Sequence, residues 1–409
     1  MLETVARPAS AAESADAATG GAAIPFDRHR LDRLMDEAGI DVMLVTSKHN
    51  VRYMLGGHRA QFFSYMDAMG LSRYLPVLVY PKGHPDKAAY IGHKLERHQL
   101  AVRSFWVPDM RAASSGSVDA MELALDLARR LGFAEGRIGV ETPFLPMDAA
   151  EALRAGLPNA KIVEGLIVLE RLRAIKSADE LAKLGEASER IIDSMLAVIA
   201  RFGAGSTKRE IAEALQREEA SRGLDFEYCL ITAGSSLNRA PSEQPWQEGE
   251  PLSLDSGGNY EGYIGDLTRM AVLGEPDSEL QDLLAKVDEI QQLAFRMIAP
   301  GRPGGEVFAV AQEALHRLPE HNHMHFVAHG MGMISHEAPR LPTNGEMPYP
   351  PTDAERPLEP GMVLSVETTL QHPRRGFIKL EDTVAVTPGG HAILGTRGRG
   401  WNRGGAEAR

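Results

Sequence analysis

The sequence predicts two domains: an α/β unit, then an α+β unit in which helices cover one face of a curved antiparallel sheet. Three observations carry this. A chain of 409 residues with 43% apolar content can bury more than one core. Short apolar runs alternate with helix-patterned segments in the first part. In the second part, helix-patterned segments accompany pairs of apolar runs with period-two alternation.

In order along the chain, the opening segment is rich in Ala, Ser and Gly and lacks the basic start and Leu-rich centre of a secretion signal, so residues 1–24 read as a disordered tail. RHRLDRLMDEAGI has apolar residues at helical spacing, stops at Gly39 and is followed by the strand DVMLVTS. Further strands are expected at YLPVLVYP, KAAYIGH, SFWVP and RIGVET, with the helix MELALDLARRLG between the last two. GGHRAQFFSYMDAMGLSRY, between the first two strands, has no clear period and reads as a packed excursion or as a loop reaching toward a site. The first domain therefore spans residues 25–165 and the second 166–409, with the boundary between Glu164 and Lys176. Ser177 with Glu180, and Thr207 with Glu210, are capping boxes that open two helices. A third helix runs from Ser278 to Ile298, ahead of Pro300 and Gly301, and GGEVFAVAQEALHRL makes a fourth. The basic end, RGRGWNRGG, reads as a frayed tail, with closure over a pocket as the alternative.

A net charge of -12 argues against a nucleic-acid surface, which needs clustered Lys and Arg. The single Cys229 excludes an internal disulfide, suits a reducing cytoplasm and reads as a small buried residue in FEYCLI. No apolar run approaches the roughly 18–20 residues needed to cross a bilayer, so a soluble cytoplasmic protein is expected.

Five residues able to bind metal lie on short apolar segments in the second domain: Asp255, Asp266, His329, Glu367 and Glu381. In LSLDSGGNYEGYIGDLTRMAV, Asp255 and Asp266 sit on two strands, with Gly257, Gly258 and Asn259 reading as the turn between them. In HFVAHGMGMISHE, glycines flank His329 and let backbone come close to a metal site. GMVLSVETTL and GFIKLEDTVAVT each aim one glutamate at a shared point. Any one of these acids alone reads as a turn residue or half of an ion pair. Together, four carboxylates and one imidazole make a hard, oxygen-rich set that suits two divalent ions: Mn(II) first, with Co(II), Fe(II) and Zn(II) as alternatives. Two such ions about 3.5–4 Å apart would activate a shared water for attack on a polarised carbon.

GGNYEGYIGDLTR, HGMGMISHEAP, LEPGMVLSVETTL and FIKLEDTVAVT resemble the metal-binding segments of the pita-bread metallopeptidases, which include methionine aminopeptidase, aminopeptidase P, prolidase and creatinase-like enzymes. RLDRLMDEAGIDVMLVTSKHNVRYMLGG is similar to the opening of the N-terminal domain of the prolidase, aminopeptidase P and creatinase branch. The resemblance spans Pro25 to Thr387 and implies a creatinase-like N-terminal domain, a pita-bread catalytic domain and a homodimer.

It also implies roles. His325, His329 and His336 follow the proline-peptidase spacing, in which the middle one binds metal and the outer two face substrate, although His321, His323 and His325 also alternate as one strand face. His336 is the candidate to hydrogen-bond the carbonyl or oxyanion, and Glu367 the ligand that also accepts the proton of the water. Two positions depart from the pattern. Asn238 or its neighbour Arg239 stands where the proline peptidases usually show a histidine, and Lys379 replaces an arginine two residues before the last glutamate. Both would read substrate, keeping a cation at 379 without its bidentate fork. The expected activity is thus hydrolysis of a carbon–nitrogen bond in a short Xaa-Pro peptide. The runner-up is a small amide or amidine, as in ectoine hydrolase or creatinase-like enzymes. Elimination from a dimethylsulfoniopropionate-type substrate ranks lower, because Gly257 and Ser335 stand where that lyase carries acids, and a scaffold without catalysis ranks last.

Overall fold

Helix α1 (Arg28–Ala38) starts where the Asp27 carboxylate accepts the Arg30 amide at 2.9 Å, and it ends where Gly39 turns left-handed at φ 63°. The computed structural model to which it belongs describes residues 22–59, 74–102, 104–346 and 349–405. Most of the expected tail, and residues 60–73 of the aromatic stretch, lie outside the described residues. The chain divides into two units, Met1–Gly165 and Leu166–Arg409.

In the first unit, β1 (Val42–Val45), β2 (Val77–Pro81), β3 (Ala89–His93), β4 (Asp109–Ser114), β5 (Arg137–Val140) and β6 (Lys161–Glu164) form a mixed sheet in the order β4-β3-β2-β1-β5-β6. Helix α2 (Lys48–Met54) follows β1, while α3 (Ser117–Arg130) buries Ala120, Met121, Ala124 and Ala128 in a core with Val77, Val79 and Ile91. Helix α4 (Met147–Gly156) and strand β6 were not anticipated. SFWVP is not a strand. The Trp106 indole donates to the Met54 carbonyl at 2.6 Å and its ring meets Phe26 edge-on, so the segment packs as an aromatic plug and pairing begins only after Pro108. Buried Glu141 accepts the amides of Thr46 and Ser47 and the Asn50 side-chain amide, fastening the end of β5 to the start of α2.

In the second unit, α5 (Leu166–Ala174) leads into α6 (Ala178–Arg201) and α7 (Lys208–Ser221), and both of the latter are opened by the expected capping boxes. Strands β7 (Asp225–Ala233), β8 (Pro251–Tyr260) and β9 (Tyr263–Val272) precede α8 (Ser278–Met297) and α9 (Gly305–His316). Then come β10 (Met324–Gly330), β11 (Glu337–Thr343), β12 (Val363–His372), β13 (Gly376–Thr387), β14 (Gly390–Leu394) and β15 (Asn402–Arg403). The sheet runs β11-β10-β12-β13-β9-β8-β7, with β14 on β13 and β15 on β9, and is antiparallel except for the short β15.

Period-two alternation decides what faces what. Leu364, Val366, Ile378, Leu380, Phe326 and Ala328 join α8 and α9 in one core, and Leu252, Leu254 and Leu267 join α6 and α7 in another. The intervening residues, including every expected metal ligand on these strands, point to the opposite face. Among the described residues no helix is long and apolar enough to cross a membrane.

Three expectations need correction. Gly257, Gly258 and Asn259 are not the turn but part of β8; the chain reverses at Glu261 and Gly262, both left-handed at φ 51° and 103°. Glycine at 257 serves close approach instead, since a Cβ there would stand 2.3 Å from the Tyr228 ring. His321 and His323 belong to a 3₁₀ turn rather than a strand face, because β10 begins only at Met324. The basic end is docked rather than frayed. Arg399 pairs with Asp382 and Asp288, the Trp401 indole donates to the Leu280 carbonyl at 3.0 Å, and β15 adds to β9.

Candidate active site

The register brings the acids into adjacent rungs. Glu367 lies opposite Glu381, Glu381 opposite Thr268 and Thr268 opposite Asp255, so β12, β13, β9 and β8 contribute one continuous row on the open face. Asp266 sits on the neighbouring rung opposite Gly257, and His329 opposite Ser365. Asp266, His329 and Glu381 each offer an atom within 4.8 Å of the others, and all three side chains are buried.

His329 Nδ1 lies 3.2 Å from the Gly330 carbonyl, which can only accept, so the proton sits on Nδ1 and the lone pair on Nε2. That Nε2 is buried, has no hydrogen-bond partner and stands 3.5 Å from Glu367 Oε1. An orphaned imidazole nitrogen facing carboxylates is what a hard divalent cation would satisfy, and the donor set fits one.

Glu381 is held at both oxygens: Ser365 Oγ donates to Oε1 at 2.7 Å, and Thr268 Oγ1 to Oε2 at 3.0 Å. Neither hydroxyl was singled out from the sequence, yet each lies two residues from an expected ligand on the same strand and so on the same face. The Tyr228 hydroxyl lies beside Asp266 and works to lower its pKa. Burial, then the charges of Glu381 and Asp255, push the Asp266 carboxyl well above the usual range. Burial likewise raises Glu381, against the pull of Lys379. Burial also opposes ionisation of Glu367, but the Lys379 ammonium outweighs it and holds its pKa low.

Lys379, expected to read substrate, lies among the acids. Its ammonium is 2.7 Å from Asp255 Oδ2, 2.7 Å from Glu367 Oε2 and 2.8 Å from Glu381 Oε2. Burial lowers its pKa, and these three carboxylates more than offset that, so it stays charged. Of the two candidates on the preceding loop, the structure brings Arg239 to the site, where it pairs with Asp255 and lies over the Phe377 ring with its guanidinium carbon 5.0 Å from the centroid. Asn238 is exposed; its side chain accepts the Ala240 amide at 3.1 Å and caps its own turn.

His336 stacks on His329 with ring centroids 3.8 Å apart, and its Nδ1 is buried without a partner. Burial and then the neighbouring His329 lower its pKa to about 3, so it is a neutral imidazole with a hydrogen-bonding nitrogen to spare. His325 lies along the same strand face as His329, with Nδ1 3.0 Å from the Asn344 carbonyl. A cavity of about 370 Å³ opens over this face, lined by Arg239, His325, His336, Phe377 and the acids among others. That volume is of the order that takes a small molecule or a dipeptide.

The model of Metallopeptidase family M24 matches residues 179–388. The chain belongs to that family. The Creatinase/Prolidase N-terminal domain matches residues 28–175, giving the two-domain organisation of the prolidase-like members of M24. Uncharacterized peptidase YqhT of Bacillus subtilis is 27% identical over 373 residues, covering 89% of this chain and 96% of the relative. An Xaa-Pro dipeptidase of Pyrococcus horikoshii is 24% identical over 374 residues, covering 89% and 95%. The solved Xaa-Pro dipeptidase of Bacillus anthracis shares the fold at a TM-score of 0.76, with 22% identity over 92% of this chain and 98% of that one. As an M24 protein the chain is a hydrolase, and the class of its cofactor is a divalent metal ion.

Proposed function

We propose that the chain is a metal-dependent peptidase that cleaves the carbon–nitrogen bond of short Xaa-Pro substrates, a dipeptide first. The observation that carries this is the buried, partnerless His329 Nε2 converging with Asp266 and Glu381, two acids that line a dipeptide-sized cavity. A divalent ion there, Mn(II) as first choice, would supply Lewis acidity to polarise the scissile carbonyl and lower the pKa of water.

The remaining work falls to side chains. Glu367 is 14% exposed against 2% for Glu381 and 4% for Asp255, so it is the carboxylate that meets substrate, and it takes the proton of the attacking water. Neutral His336 donates to the oxygen on which charge develops. His325 walls the pocket on the strand that carries His329. Arg239, planar and braced on Phe377, faces the substrate's carboxylate end. A homodimer in solution belongs to the same reading and is checked by light scattering.

A second reading, hydrolysis of a small amide or amidine, is favoured by Arg239 lying where the proline peptidases usually show a histidine. Chelator-stripped protein reloaded with Mn(II) should hydrolyse Ala-Pro and Gly-Pro, and the stripped protein should not. Turnover of ectoine or creatine with both proline dipeptides untouched reverses the ranking. Full activity after complete stripping rejects the metal mechanism.

A further inference from the structure

We propose that the Lys379 ammonium permanently fills the place of one of two cations, so that the centre takes a single divalent ion held by Asp266, His329 and Glu381. This rests on the metal-dependent reading and refines it. The five-residue set leads one to expect two ions, but the arrangement around Lys379 argues for one.

The ammonium has three N–H bonds, and three carboxylate oxygens from three residues surround it at 2.7–2.8 Å: Asp255 on β8, Glu367 on β12 and Glu381 on β13. Every donor has an acceptor. The lysine side chain is 4% exposed, and its β13 position, two residues before Glu381, puts it on the ligand face of the sheet. Asp255 is engaged twice at the same oxygen, by Lys379 and by Arg239. The ammonium does not touch Asp266 or the orphaned His329 Nε2; these two meet Glu381, the one acid shared between the ammonium and the remaining group, with Glu367 Oε1 turned to His329.

Charge balance points the same way. The four acids are neutralised by Lys379, Arg239 and one divalent ion. A second divalent ion would leave an excess of two positive charges and would place a dication against a fixed, buried ammonium, an arrangement that low-dielectric surroundings penalise. Lys379 is thus a positioning residue: it fixes Asp255 and Glu367 and sets how many ions the pocket holds.

The test counts ions in the full chain. Protein is saturated with Mn(II), desalted and measured by elemental analysis and by electron paramagnetic resonance. One equivalent per chain, with the six-line spectrum of an isolated Mn(II), is expected. Two equivalents with an exchange-coupled spectrum overturn the proposal and leave metal-dependent hydrolysis intact, whereas no tightly bound ion overturns both. Lys379→Met removes the ammonium at similar volume and should raise the count to two. A folded variant that still binds one ion also overturns the proposal. If the variant does not fold, the wild-type count and spectrum decide.

Discussion

Glu367→Gln keeps the length of the side chain and removes its basicity, which separates proton transfer from shape. We expect kcat to fall by ~10²–10⁴ if Glu367 accepts the proton of water. Steady-state assays with Ala-Pro, alongside metal analysis, measure this, and a loss smaller than tenfold assigns the base elsewhere. His336→Ala should lower kcat by ~10²–10³ through loss of the oxyanion donor. Because His336 is stacked on His329 without joining Asp266 and Glu381, bound metal should be unchanged. At this scale the sequence was informative wherever a side chain sits on a regular strand. Alternation alone placed Asp255, Asp266, Glu367 and Glu381 on one face, and applied two residues further it would also have found Thr268 and Ser365. It failed at Asn238 and Arg239, which lie in an irregular connection with no period to say which side chain points inward.

For single elements, the hairpin β8–β9 shows how a glycine can mislead. Gly257 looks like a turn residue, yet the Tyr228 ring fills the space that a Cβ there would need and the turn lies at Glu261 and Gly262. Both uses of glycine exploit the missing Cβ, and sequence does not distinguish them without knowing what packs alongside. Gly257→Ala should therefore cost about 1–3 kcal/mol by chemical denaturation, the range for overpacking, and should weaken activity by moving Tyr228 off Asp266. A result within experimental error of wild type would mean that the tyrosine ring yields without cost. The helix starts were legible for the opposite reason. A capping box is a contact between residues three apart, and Ser177 with Glu180 and Thr207 with Glu210 make it in full. Elsewhere, Arg269 and Asp382 are both fully buried and meet at 2.9 Å between neighbouring strands. Asp382→Ala leaves the buried Arg269 guanidinium to backbone carbonyls alone and removes one of the two carboxylates that hold Arg399, so a loss of about 3–5 kcal/mol is expected in denaturant titrations.

Across the whole molecule, the acid buried behind the sheet sets a pH dependence. Glu219 is fully buried, accepts the Ser256 hydroxyl at one oxygen and has no partner at the other. Burial raises its pKa to about 8, against the lowering by Ser256. The folded state thus keeps a proton that the unfolded chain releases near the ordinary carboxyl pKa of 4.5. Stability is unaffected below that value, falls as pH rises toward 8 and levels off above it. Glu219→Gln should flatten this slope and gain on the order of a few kcal/mol at pH 8. Unfolding midpoints from pH 5 to pH 8.5 check it, and parallel curves for the two proteins would reject the assignment.

Lys379 also bears on how the protein matures. Four carboxylates crowded on one sheet face would ordinarily repel one another until an ion arrived, tying folding to metal supply. A tethered ammonium among three of them removes most of that repulsion from within the chain itself. The polypeptide can therefore fold before metal binds, and the stripped protein should keep the far-ultraviolet circular dichroism spectrum of the loaded one.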